Sequence, residues 1–202
     1  MEAVPVGCVV MAAGSASRFG SNKLLAEFEG RTLIRRALEA VPEGVPAVVV
    51  TGYDEVAALA EEFGFSCVRN PQPELGISRT VELGVSALAE RCAGIAFLTA
   101  DQPLLRRDTV ERLLELFRAN PERIVCPVAE GRRGSPCVFP RDLFPALRAL
   151  EGDRGGAQLI RRFPDRVLPA QTDPRELLDV DTVGSLQQLA AGAAPHPPEL
   201  LF

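Results

Sequence analysis

The stretch Val6-Gly-Cys-Val-Val-Met11-Ala-Ala-Gly-Ser-Ala-Ser-Arg-Phe-Gly-Ser-Asn-Lys23 decides how this chain is read. It opens as an apolar run of strand length and continues as a glycine-bounded, serine-rich loop that ends on a lysine. A buried strand that opens into such a loop presents a row of backbone N–H groups, which together form an anion cradle. Arg18 and Lys23 add two positive charges to it. Lys23 is also the only lysine among 22 basic residues; every other one is arginine. An ammonium is a compact charge that can be aimed at one phosphate oxygen, whereas a guanidinium is a wide planar fork, so the exception points to a phosphate contact.

Two common phosphate loops are excluded by spacing. The G-x-G-x-x-G of dinucleotide folds is absent, because Gly14 and Gly20 have no glycine between them. The Walker pattern requires Ser or Thr directly after its lysine, and Leu24 follows Lys23.

Outward from the loop, apolar runs alternate with helical patterns. Val6–Met11, Ala47–Thr51, Ser66–Arg69 and Ile95–Thr99 read as strands. Thr32–Val41, Asp54–Phe63 (ended by Gly64) and a segment capped by Ser78 that runs towards Arg91 read as helices. Gly84 lies inside the last of these, where glycine costs about 1 kcal/mol. Asp108 with Glu111 predicts a capping box for a helix over Thr109–Arg118. In the second half, Arg123–Val128, Pro136–Phe139, Arg166–Ala170 and Leu177–Val180 read as strands. Arg141–Leu150 and Gly155–Phe163 read as helices, and Thr182 caps a final helix that runs to about Ala191. The alternation predicts an α/β fold: a single Rossmann-like domain over residues 1–191, its mostly parallel central sheet covered by helices on both faces. Residues 192–202, with three prolines, are expected to form a Pro-rich tail.

At 202 residues and 47% hydrophobic, the chain can bury one full core. A net charge of −5 argues against nucleic-acid or anionic-membrane partners, so the positive charges that matter are local. Glu2 stands where a secretory signal would be basic, and no run reaches the roughly 20 apolar residues of a membrane helix. The five cysteines are odd in number, scattered, and set in or beside apolar runs, as reduced buried thiols are. These features together predict a cytoplasmic protein. A single histidine, His196, nearly excludes a His-based zinc site or a Ser-His-Asp triad.

Two acidic elements complete the candidate chemistry. Asp101 in Thr99-Ala-Asp-Gln-Pro103 follows a strand end, and in open α/β sheets the ligand crevice lies beyond the carboxyl ends of the strands. It should therefore converge with the Gly14–Lys23 loop. In Leu178-Asp-Val-Asp-Thr182, an extended backbone would point Asp179 and Asp181 to one face. The same pair would also complement the dipole of the final helix.

The loop closely resembles the signature A-A-G-x-S-x-R-F-G-x-x-K of the MobA-like nucleotidyltransferases, departing at Ala16, where the family shows serine. Further segments are similar to family elements in the same order. Gly76-Ile77-Ser78 resembles a base-contacting stretch. Asp101-Gln102-Pro103 resembles a magnesium-binding turn, with Ala100 in place of glycine. Arg132–Pro136 and Gly152–Gly155 resemble acceptor-side loops, with Ser135 in place of a histidine and Gly156 in place of an alanine. Asp179–Thr182 resembles the family's D-I-D-T.

The resemblance implies nucleotide binding by Ala12, Ala13, Gly14, Ser15, Arg18, Lys23, Gly76, Ser78 and Asp101. It implies Mg²⁺ at Asp101 and Asp181, with Asp179 as outer support, and an acceptor at Gly134, Ser135, Pro136 and Asp153. Arg18, Lys23 and Asp101 would be catalytic. The A-A-G and D-Q-P variants are similar to molybdenum-cofactor cytidylyltransferases. They imply transfer of CMP from CTP to molybdopterin cofactor with release of pyrophosphate, and a transient contact with a molybdoenzyme. The alternatives are GTP as donor, a sugar or polyol phosphate as acceptor, or a non-catalytic chaperone of nucleotide or pterin cofactor.

Overall fold

The computed structural model describes residues 4–14 and 22–191. The first half alternates as its apolar runs require: β1 (Val6–Ala12), a small hairpin of β2 (Glu27–Phe28) and β3 (Arg31–Thr32), α1 (Leu33–Glu39), β4 (Ala47–Thr51), α2 (Asp54–Glu62), β5 (Ser66–Arg69), α3 (Ile77–Leu88), β6 (Gly94–Thr99) and α4 (Arg107–Ala119). The second half continues with β7 (Ile124–Ala129), β8 (Arg132–Arg133), β9 (Cys137–Pro140), α5 (Phe144–Arg148), α6 (Ala157–Arg162), β10 (Val167–Gln171) and α7 (Val183–Ala190).

The main sheet runs β10-β7-β9-β6-β1-β4-β5, with β8 pairing to β7. β1 lies parallel to both β4 and β6, β4 to β5, and β7 to β10; β9 alone among the long strands is antiparallel, between β6 and β7. Strand alternation splits the core into two layers. Cys8, Val10, Val49 and Leu98 join Ile34, Leu38, Val56, Leu113 and Phe117, which covers one face with α1, α2 and α4. Val9, Val48, Val50, Ile95 and Phe97 join Val81, Val85, Leu88, Leu147 and Ile160, which covers the other with α3, α5 and α6. The five cysteines are free thiols, and all but Cys67 are buried. No described helix is long and apolar enough to cross a membrane.

Several local expectations are corrected. Ser78 does not cap α3; Gly76 holds the cap position, and the Ser78 hydroxyl donates instead to the Leu75 carbonyl at 3.3 Å. The expected capping box of Asp108 and Glu111 is absent, since α4 begins two residues earlier, at Arg107, and Arg106 occupies its cap. The donor there is satisfied from far along the chain: the buried Glu176 carboxylate accepts the Arg106 backbone N–H at 3.1 Å and its guanidinium at 2.5 Å. Leu177–Val180 is not a strand; a 3-10 turn over Pro174–Leu177 leads into an irregular segment. The Arg141–Leu150 helix is likewise shorter, a 3-10 turn followed by α5. Both tight hairpins turn on Glu-Gly pairs at positive φ, Glu29-Gly30 and Glu130-Gly131.

Gly84 is explained by packing. A Cβ at this position would lie 2.6 Å from Val9 Cγ1, so α3 can press on β1 only where its side chain is missing. In an exposed helix Gly→Ala gains about 1 kcal/mol; here overpacking reverses the sign. Gly84→Ala is expected to destabilise the protein by about 1–3 kcal/mol, read as a lower denaturant midpoint at unchanged m-value.

Candidate active site

The parallel strands end on one edge of the sheet, and the residues of interest gather there. β1 ends at Ala12 beside Thr51 of β4, and Met11 pairs with Thr99 of β6. Antiparallel β9 begins at the same edge, with Cys137 opposite Phe97, so the loop before it joins the group. Ala12 and Ala13 are buried, and Gly14 emerges into solvent. Ser15 and Arg18 lie outside the described residues.

Lys23 begins a 3-10 turn, and the Asn22 side chain caps it by accepting the Leu24 N–H at 3.2 Å. Leu24 is buried in the core, which fixes the turn. The Lys23 ammonium reaches Asp101 Oδ2 at 2.8 Å, Asp181 Oδ1 at 3.2 Å and the Val180 carbonyl at 3.3 Å. Burial works against its charge, yet the attraction of Asp101 and Asp181 and their hydrogen bonds leave its pKa above the ordinary lysine value. The two acidic segments are also tied directly, since the Val180 N–H donates to the Asp101 carbonyl at 2.9 Å. Leu178 and Val180 anchor that segment among Phe28, Leu33 and Leu189. Thr182 then caps α7 as expected, in a reciprocal pair with Ser185.

Asp179 and Asp181 do not share a face, because the segment is not an extended strand. The Asp181 side chain is half exposed beside Lys23, while Asp179 turns inward. Burial pushes the Asp179 pKa well above the usual carboxylate range; the charges of Asp101 and Asp181 add to this, and Gln102 and Lys23 oppose it.

Among the described residues, four buried oxygens at this edge of the sheet have no hydrogen-bond partner: Asp101 Oδ1, Asp179 Oδ1, Gln102 Oε1 and Thr99 Oγ1. An all-oxygen set of this kind suits a hard divalent cation. Among the described residues, no three carboxylate, thiol or imidazole side chains are arranged as a ready cage. The protein would thus supply one or two carboxylates, the usual arrangement for Mg²⁺, which keeps its other positions for phosphates and water.

The two remaining candidate loops touch. Gly76, at φ 85°, lies so close to Gly152 that a Cβ would sit 2.5 Å from the Gly152 carbonyl and 2.6 Å from Asp153 Oδ1. The Ser78 N–H donates to the same Gly152 carbonyl at 3.1 Å. Gly134, Ser135 and Pro136 are buried behind Asp101's strand, and the Ser135 hydroxyl donates to the Phe97 carbonyl at 3.0 Å. Gly134 fits against Leu177, where a Cβ would meet Cδ1 at 2.9 Å. Sequence reasoning did not single out Tyr53, whose hydroxyl donates to the Gly14 carbonyl at 3.1 Å; its signal was that it is the only tyrosine.

With this geometry in place, comparison with known proteins gives a family. The model of the MobA-like NTP transferase domain matches residues 8–167, a span that stops short of Asp179 and Asp181. Purine catabolism protein PucB of Bacillus subtilis is 30% identical over 190 residues, covering 86% of this chain and 90% of that protein. Bifunctional protein GlmU of Rhodococcus opacus is 36% identical over 130 residues, covering 58% of this chain; the chain spans only 26% of that relative's length. Among solved structures, a nucleotidyl transferase from Methanothermobacter (Mth528) superposes with a TM-score of 0.79 at 25% identity, covering 93% of this chain and 97% of that one.

The Asp179 carboxyl yields a pH test. Its folded pKa is raised, so folding favours the protonated form. In the unfolded chain it titrates near 3.9, as ordinary aspartates do at about that value. Its contribution to stability therefore falls as pH rises from there through the folded pKa. Asp179→Asn should raise the Tm of the metal-free protein at pH 7 by about 2–4 °C, the size of a 1 kcal/mol effect in a chain this long. The gain should vanish below about pH 4. Thermal scans at the two pH values decide, and an equal gain at both would separate the effect from charge.

Proposed function

The chain belongs to the MobA-like NTP transferase family, and we propose that it is a Mg²⁺-dependent cytidylyltransferase, transferring CMP from CTP to molybdopterin cofactor in the cytoplasm. The observation that carries this reading is the cluster of Lys23, Asp101 and Asp181 at the carboxyl edge of the sheet. Paired carboxylates and a half-buried ammonium, held in its charged form by them, match the demands of nucleotidyl transfer. The choice of CTP and of the pterin acceptor rests on Ala13 in A-A-G and on Asp101-Gln102-Pro103, which resemble the cytidylyltransferase branch.

The reaction is an in-line displacement at the α-phosphorus. An acceptor phosphate oxygen forms the new P–O bond, the bond to the bridging oxygen breaks, and pyrophosphate departs. The attacking phosphate is already ionised at neutral pH, so no general base is required. Asp101 and Asp181 would hold Mg²⁺, which when bound neutralises charge on the reacting phosphates. Lys23, kept charged by its acidic neighbours, places a fixed positive charge beside the α-phosphate and the leaving group, where negative charge redistributes. Arg18 is assigned a second such charge. Ala12, Ala13, Gly76 and Ser78 are assigned to the nucleotide. Gly134, Ser135, Pro136 and Asp153 are assigned to the acceptor; the close approach of Gly76 to Gly152 and Asp153 supports neighbouring sites for nucleotide and acceptor.

Offering each of the four nucleoside triphosphates with Mg²⁺ and molybdopterin cofactor tests the reading, with pyrophosphate release as the signal. CTP should support turnover. Release with GTP alone would move the chain to the guanylyl branch, and release only with a sugar or polyol phosphate would change the acceptor. Nucleotide binding without release under every pairing would favour a chaperone. In the active pairing, Lys23→Arg should lower kcat by at least ~10²-fold, the low end for losing one preorganised electrostatic contact. Its Tm should hardly change, and near wild-type kcat would remove Lys23 from the catalytic set.

A further inference from the structure

The two carboxylate-bearing segments are joined at a second place, away from the carboxylates themselves. Glu176 lies in the 3-10 turn over Pro174–Leu177, five positions before Asp181, and Arg106 stands at the cap of α4, five positions after Asp101. Glu176 is 2% exposed, and a buried carboxylate is tolerable only when it is paired and hydrogen-bonded. Arg106 supplies three donors to it: the backbone N–H reaches Oε2 at 3.1 Å, while Nε and Nη2 reach Oε1 at 2.8 and 2.5 Å. Both sides of this clip are anchored. Asp173 fixes the turn under Glu176 by accepting the Arg175 N–H at 2.9 Å. Leu105 is buried in the core, and its N–H donates to the Gln102 carbonyl at 3.3 Å, which ties Arg106 to the turn that carries Asp101. Between the clip and the carboxylates, Leu104 and Leu178 pack in one small apolar cluster. The Val180 N–H, donating to the Asp101 carbonyl at 2.9 Å, forms the inner link.

We propose that Glu176 is a positioning residue for the metal pair: with Arg106 it sets the spacing of Asp101 and Asp181, and through that spacing the preference for Mg²⁺ over larger divalent ions. One link at Val180 would leave the segment from Glu176 to Asp181 free to pivot, and the second link at Glu176 fixes its direction. Direction matters because Mg²⁺ is small and demands near-ideal octahedral geometry, whereas Ca²⁺ accepts longer bonds and irregular arrangements. A slight drift of Asp181 therefore penalises one ion and spares the other. A cap for α4 alone would be served by any side-chain acceptor for the Arg106 N–H; the buried charge and its guanidinium partner go beyond that need. The inference rests on Asp101 and Asp181 holding the metal, as the proposed function has it.

Mn²⁺ serves as the probe, because its free EPR signal is lost when a protein binds it. It is titrated without nucleotide, and Mg²⁺ and Ca²⁺ are then added as competitors. The wild-type protein should take up Mn²⁺, and Asp181→Asn should weaken that uptake. In Glu176→Gln, whose amide oxygen can still accept the Arg106 N–H, Mg²⁺ should compete about 10-fold less well, the low end for groups that orient metal ligands from behind. Ca²⁺ should stay within about 2-fold of its wild-type value, since its geometry is forgiving. Arg106→Gln breaks the same link from its exposed side and should shift the preference equally. It should lower Tm more, because it leaves a buried carboxylate without its cation. An unchanged ratio of Mg²⁺ to Ca²⁺ in Glu176→Gln, or a loss for both ions that only follows the fall in Tm across the two variants, would overturn the positioning role and leave Glu176 a structural cap. Absence of Mn²⁺ uptake by the wild-type protein, or uptake that Asp181→Asn leaves unchanged, would instead overturn the metal site of the proposed function, and this inference with it.

Discussion

Asp101 and Asp181 carry like charges, come from segments 80 positions apart, and are held in one small volume. Left alone, such a pair would repel or take up a proton. Lys23 lies between them at hydrogen-bond distance from both and makes the arrangement tolerable. Because all three charges are partly withdrawn from water, their mutual attraction is screened less than on an open surface. The lysine has little room for substitution: a guanidinium would have to fit where a tetrahedral ammonium already reaches three oxygens. Among the described residues, buried oxygens without a partner belong to the same turn and acidic segment as the cluster: Thr99, Asp101, Gln102 and Asp179.

The sheet supplies the rigidity that the cluster needs. β1 sits between two parallel partners, so the strand that launches the loop is hydrogen-bonded along both edges. α3 presses on it through Gly84, and the helix accepts an unfavourable residue in exchange for closer contact with Val9. On the acidic side, Glu176 serves a comparable purpose. Buried and hydrogen-bonded to Arg106, it pins the turn that precedes Asp179 to the start of α4.

What could be read from the sequence followed physical range. The parallel half was legible because local periodicity determines it: the runs at Val6, Ala47, Ser66 and Ile95 are strands, and the segments between them carry helices. The convergence of Lys23 and Asp101 was legible too, since strand ends in such sheets share one edge. The misses arose where a distant partner overrode a local rule. Ser78 has the chemistry of a cap, but its hydroxyl turns to Leu75 while its N–H meets Gly152. Asp108 was expected to cap α4 with Glu111 reaching back to it, but α4 is capped at Arg106, whose N–H is taken by Glu176 from the far side of the chain. Leu178 and Val180 alternate with two aspartates as a strand would, yet the alternation serves a small third cluster with Phe28 and Leu33 instead of a sheet. The hairpins on Glu29-Gly30 and Glu130-Gly131 were missed because glutamate is a weak turn former and only the glycine signals the bend.

The third cluster also orders events in time. Phe28 and Leu33 come early in the chain, whereas Leu178, Val180 and Leu189 come about 150 positions later. As the chain emerges from the ribosome, β1, β4, β5 and β6 can pair with one another long before Asp181 has been made. During that interval the lysine and the first carboxylate are present without their third member. The three-charge cluster is complete only when the turn over Pro174–Leu177 and α7 fold back onto the hairpin, so the contact between Lys23 and Asp181 is the last part of it to form.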